Sequence, residues 1–279
     1  MPGVTYPYYL EVTSGVNEGQ RFDVASASGN TVTLANDNVL DSAAPPFNTL
    51  TGAPPSTLAG ASVLIHRQWT LDEVFPPSGF GASGSQTTSD EVQLFAGGAW
   101  SVYWLYNGDG PARWVDAADA GMSNKGTTVI PPGQGMFFNN RTTASSVLAY
   151  GEVRANGFIR PLGAGYNLPG GGYPVDQSAT GTAGRAMTLD AGFFGSRDFK
   201  TADSFFVWNA DATVGATGYT TYYLLNGSPV APSMIRWIKV GDAAATSRDN
   251  ETLLLGNRAV FLRAATALPA YGYPSPWTP

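Results

Sequence analysis

Residues 68–279 of this 279-residue chain contain an internal repeat. Six short blocks recur in the same order. WTLD at 69–72 matches MTLD at 187–190, DEVQLF at 90–95 matches DSFFVW at 203–208, and YWLYNG at 103–108 matches YYLLNG at 222–227. RWVDAAD at 113–119 matches RWIKVGD at 236–242, GQGMFF at 133–138 matches GNRAVF at 256–261, and AYG recurs at 149–151 and 270–272. The offset runs 118, 113 and 119, holds at 123 from Arg113 to Asn140, and ends at 121. The drift falls between blocks, where loop insertions are tolerated. A duplication of this length predicts two related units that bury equivalent faces.

The units are built of strands. Gly and Pro interrupt nearly every window long enough for three helical turns, and short apolar or alternating runs separated by turn clusters recur throughout. Two short helical readings remain: a capping box at 70–73 stopped by Pro76 and Pro77, and one or two turns over 114–121 closed by Gly121. The expected class is all-β. Residues 1–67 read as a small SH3-like barrel, 68–156 as the first repeat and 157–279 as the second, each repeat a β-sandwich-like unit. The second repeat is preceded by GFIRPL at 157–162 and GYNL at 165–168, and the first has no counterpart to these.

Composition excludes much chemistry. There is no Cys, so no disulfide, thiol nucleophile or Cys-bound zinc, and the single His66 excludes any site needing two imidazoles. Fifteen basic against 21 acidic residues leave a net charge of −6 with no basic cluster, which argues against nucleic acid. No run of 18 apolar residues spans a membrane. Residues 1–9 lack a leader's basic and apolar regions. The sparse charge (13%) and the Thr/Gly/Ala-rich, cysteine-free composition go with exported surface proteins, so the expected location is extracellular or at the cell surface, with the leader absent from this chain.

Asp119 and Asp242 stand at equivalent positions. Because they recur, they are expected to brace turns by accepting backbone N–H bonds rather than to form an active site. Asn36, Asp37 and Asn38, and the NGDG at 107–110, lack the ligand spacing of a calcium loop. No catalytic residue, metal ligand or cofactor is assigned. Trp114 and Trp237 are expected as equivalent core residues. The aromatics Trp100, Trp104, Tyr106, Tyr219 and Tyr223 are candidates for a ligand or subunit surface, because rings at adjacent strand positions such as Tyr103 and Trp104 point to opposite faces.

YYLEVTSG (8–15), NEG (17–19), WTL (69–71) with Phe75 and Pro76, PGQG (132–135), GEVR (151–154) and GYNL (165–168) together resemble an uncharacterised family of exported proteins from Verrucomicrobia and relatives. The resemblance covers nearly the whole chain. It implies export through a leader and an extra N-terminal β segment, and it carries no activity or catalytic residue.

The expected function is that of a non-enzymatic structural protein of the envelope or extracellular space. It assembles with itself into a surface layer or filament. The alternatives are a carbohydrate-binding module using the repeat aromatics and a carbohydrate-active enzyme with a carboxylate pair. The unequal repeats further predict that the first is completed by a strand from outside it, with 4–12 a better donor than the proline-rich tail at 271–279.

Overall fold

The computed structural model describes residues 6–35, 58–96, 98–142, 153–171, 173–181, 184–185, 187–209, 218–227, 233–256 and 258–277. The fold is mostly β, with 40% strand in several antiparallel sheets and one short helix.

The N-terminal sheet holds β1 (Tyr8–Val12), β2 (Arg21–Ser28), β3 (Thr31–Leu34) and β4 (Val63–Arg67) in the order β3-β2-β1-β4. Leu10, Val12, Phe22 and Val24 form its core. Among the described residues this sheet is open, not the expected closed barrel. β3 and β4 form its two edges, and four strands are too few to bring the edges together. The edge strand β4 exposes three consecutive aliphatics, Val63 (43%), Leu64 (54%) and Ile65 (51%). The Pro-rich stretch at 43–56 and Asn36, Asp37 and Asn38 lie outside the described residues.

The first repeat sheet contains β6 (Glu91–Ala96), β7 (Ala99–Tyr106), β8 (Arg113–Asp116) and β10 (Met136–Asn139), ordered β10-β6-β7-β8. A ribbon of β5 (Trp69–Thr70) and β9 (Val129–Ile130) and the one-turn helix α1 (Leu71–Val74) pack on it through Leu71, Phe75 and Ile130. The helix starts where the capping box predicts: the Glu73 carboxylate accepts bonds from the Thr70 N–H and hydroxyl, both at 3.0 Å. The 114–121 helix does not form. Trp114 and Val115 are fully buried in β8, opposite Leu105 and Trp104, and sheet packing overrides the weak helical signal.

The second repeat sheet contains β12 (Gly165–Asn167), β13 (Ser204–Asn209), β14 (Gly218–Asn226), β15 (Ile235–Lys239) and β16 (Phe261–Ala264), ordered β12-β16-β13-β14-β15. It packs on a ribbon of β11 (Phe158–Leu162) and β17 (Leu268–Tyr273) through Phe158, Leu162, Leu268 and Tyr271.

The two sheets therefore share one strand order, β10-β6-β7-β8 against β16-β13-β14-β15. Their registers agree. Val92 faces Tyr103 as Phe205 faces Tyr222, and Leu105 faces Trp114 as Leu224 faces Trp237. Turns agree as well: Lys125 N–H donates to Trp114 O and Arg248 N–H to Trp237 O, both at 2.8 Å.

Two of the matched blocks sit differently in the structure than their sequences predict. Phe138 faces Val92 and Leu262 faces Phe205, so the offset at β10 and β16 is 124, not 123. A one-residue slip exchanges the faces of a strand, which makes Phe137 the equivalent of Phe261. The WTLD and MTLD blocks also differ in role. Trp69 is exposed, whereas Met187 is buried and its carbonyl receives the Trp237 indole.

The repeats differ at one edge. β16 lies between β13 and β12, whereas β10, its equivalent, pairs with β6 alone among the described residues. Neither strand donor expected from the sequence is free to fill that edge. β1 is central in its own sheet, and β17 pairs with β11. The AYG at 149–151 lies outside the described residues.

Candidate functional site

The two repeat sheets meet at a backbone joint. Gly135 N–H donates to Leu168 O at 2.9 Å and Gly170 N–H to Gly133 O at 2.7 Å. Gln134, buried, donates its amide to Phe95 O at 2.9 Å and accepts from Arg160 at 3.1 Å. Only glycine fits at 135, because a Cβ there would stand 2.6 Å from that of Ala259 and 2.7 Å from Leu168 O.

Residues of both sheets line a cleft of about 440 Å³. One wall is the β6–β7 hairpin, with Phe95 and Trp100 paired across the strands and Gly98 closing the turn at a φ of +74°. The other wall is Tyr166 on β12, Phe206 on β13 and Tyr219 on β14. Phe261 lies between the walls, its ring centre 5.4 Å from Phe95, 5.7 Å from Trp100, 6.0 Å from Tyr219 and 6.4 Å from Tyr166.

The walls are themselves related by the duplication. Phe95 faces Trp100 in β6–β7 as Trp208 faces Tyr219 in β13–β14, and both pairs are edge-on at 4.9 Å. Trp100 and Tyr219 remain 41% and 44% exposed. Aromatic rings prefer such edge-to-face contacts, which hold each wall in shape. The lining has no charged side chain, and burial raises the Tyr219 phenol above its ordinary value, which keeps it a proton donor.

Of the aromatics singled out in the sequence, the structure brings Trp100 and Tyr219 together here. Trp104, 4% exposed, is buried edge-on against Tyr106 at 5.3 Å, which removes it as a ligand surface. The Arg113 guanidinium lies 5.0 Å from the centre of Tyr106. Tyr223 lies against Phe199 at 6.3 Å, away from the cleft. Phe95, Tyr166, Phe206 and Phe261 are absent from that set. The DEVQLF and DSFFVW blocks carried the signal for Phe95 and Trp208, and the misplaced register hid Phe261.

The acidic residues brace the backbone. Asp119 accepts from Gly121 N–H at 2.9 Å and from Ser123, with Lys125 at 3.2 Å. The Ser123 hydroxyl, with the Gly121 amide and Lys125, holds its carboxyl down at about 2. Asp242 accepts from Ala244 N–H at 2.9 Å and Thr246 N–H at 3.1 Å, and its carboxyl is lowered too, by the Thr246 hydroxyl most and then by these backbone bonds.

A second recurring pair, Asp90 and Asp203, is fully buried. Asp90 receives Gly81 and Arg141 N–H, both at 2.8 Å, and Asp203 receives Phe194 N–H at 2.7 Å and Ala265 N–H at 2.5 Å. His66 lies 3.4 Å from Glu11, whose carboxylate also meets Arg154 at 2.8 Å. No group of three metal-ligating side chains occurs among the described residues. No helix among them is long and apolar enough to cross a membrane.

No family model, curated protein or solved structure matches the chain.

Proposed function

We propose that the protein is a non-enzymatic structural component of the cell envelope or extracellular space that assembles with copies of itself. The open edge of β10 in one copy takes the exposed edge strand β4 of the next. In this reading each repeat is a sandwich-like unit, a sheet on a ribbon, and the N-terminal sheet supplies the connecting strand.

One observation carries the reading: β16 is covered by β12, and its equivalent β10 has no second strand among the described residues. The molecule thus displays, in its own second repeat, the kind of segment that fits this edge. An unpaired edge leaves backbone donors and acceptors ready for a strand from another chain. β4 adds three half-exposed aliphatics on an edge, a pattern that favours pairing over solvation. Because β4 and β10 are different surfaces, their contact is head-to-tail and propagates into a filament or layer. The sparse charge offers little repulsion to close approach. The resemblance to exported verrucomicrobial proteins supports the location. The recurring acids Asp90, Asp203, Asp119 and Asp242, each engaged by backbone N–H groups, favour a structural over a hydrolytic role.

The test is sedimentation velocity of the full chain over a wide concentration range. The expected result is a ladder of species heavier than the monomer, lost in Leu64→Lys. A monomer at every concentration overturns the proposal.

A further inference from the structure

We propose that the cleft between the repeats is a binding site for one uncharged small molecule carrying a flat, largely apolar ring. The inference is independent of self-assembly.

Its size sets the occupant's class. A cavity of about 440 Å³ falls within the range of small-molecule pockets, roughly 300–1,000 Å³. A protein partner needs about 800 Å² on each side, far more than the few residues lining this cleft supply. Its chemistry narrows the class further. The lining side chains carry no charge, so an anion would lose its hydration without compensation, and a cation would have ring faces alone, with no carboxylate, to offset its own. Two phenol hydroxyls, of Tyr166 and Tyr219, and the Trp100 indole N–H are the polar side-chain groups among them. A sugar ring carries more hydroxyls than these can satisfy, and each one left unpaired opposes binding.

What the cleft does offer is ring faces and edges. Trp100 stands on one wall, Tyr166 and Tyr219 on the other, and Phe261 between them. A flat ring entering this space meets offset and edge-on contacts from both repeats, and the two phenols orient any single polar atom it carries. The duplication explains how such a site arises: a cross-strand aromatic pair is present once per repeat, and Phe95 and Trp100 of the first and Tyr219 of the second line the cleft.

The experiment titrates the full chain with N-phenyl-1-naphthylamine, an uncharged ring probe that fluoresces when desolvated. The expected result is saturable binding of one probe per chain. Trp100→Ala and Tyr219→Ala each weaken it at least tenfold, with unchanged circular dichroism. Trp277→Ala, an exposed tryptophan outside the cleft, leaves it unaltered. Absence of saturable binding, or an affinity in both cleft variants equal to that of the unsubstituted chain, overturns the site. Displacement of the probe by methyl glucoside at the probe's own affinity overturns the ligand class. Loss of probe binding in step with dimer formation assigns the cleft to a second copy and overturns the proposal.

Discussion

Trp114 and Trp237 occupy the same place in two sheets. The first donates its indole N–H to Phe75 O at 2.8 Å, the second to Met187 O at 2.7 Å, and both are fully buried opposite a leucine. Each anchors the segment that crosses its sheet's apolar face. Trp→Ala at either position is expected to cost roughly 3–5 kcal/mol. Trp→Phe costs less by volume but strands a buried carbonyl, about 1–3 kcal/mol. Urea denaturation of the four variants checks both the size and the equality of the two effects.

Asp90 and Asp203 form the second such pair. Removing either carboxylate leaves two backbone N–H groups without an acceptor in a buried site. Asp90→Ala and Asp203→Ala are expected to destabilise by roughly 2–4 kcal/mol, and Asn, which keeps one acceptor oxygen, by clearly less. Thermal melts of the two series decide. Equal losses for Ala and Asn contradict the bracing role.

Asp119 and Asp242 give the acid response its shape. Their carboxyls titrate lower in the folded chain than the unfolded value of about 3.9. Such groups contribute stability that is present above the unfolded value and lost as pH falls through the folded one. For Asp119 that window runs from about pH 4 down to about 2. The double variant Asp119→Asn, Asp242→Asn should flatten the denaturation midpoint across this window while leaving the fold at neutral pH intact.

Gly135 and Gly110 are a matched contrast. A Cβ at 135 meets Ala259 and Leu168 across the joint, whereas one at 110 meets nothing within 4 Å. Gly135→Ala is expected to cost roughly 1–3 kcal/mol by overpacking, and Gly110→Ala within about 0.5 kcal/mol of nothing. Chemical denaturation measures both.

Much of this fold is legible in the sequence because a duplication multiplies weak signals. YWLYNG alone is an ambiguous strand, but its pairing with YYLLNG places Tyr103 and Tyr222, Leu105 and Leu224 in one register. The capping box at Thr70 and Glu73 is likewise readable, since both partners are local. The faces of Phe137 and Phe261 are not, because a single inserted residue between the matched blocks reverses a strand's sides. Trp104 is misread for a related reason: leaving one sheet face does not mean reaching solvent. The cleft is the least visible feature. It belongs to neither repeat, and arises where the residue pairs of each meet across a joint made by Gly135 and Leu168, which lie 33 positions apart.

Pairing of β4 of one copy with β10 of the next is tested by cross-linking in a chain with no native cysteine. Leu64→Cys and Asn139→Cys chains are mixed and treated with a short bis-maleimide. The expected product is a mixed dimer in excess over either homodimer, abolished when Leu64→Cys also carries Ile65→Pro. Homodimers alone, or no cross-link at concentrations where heavier species sediment, would contradict it.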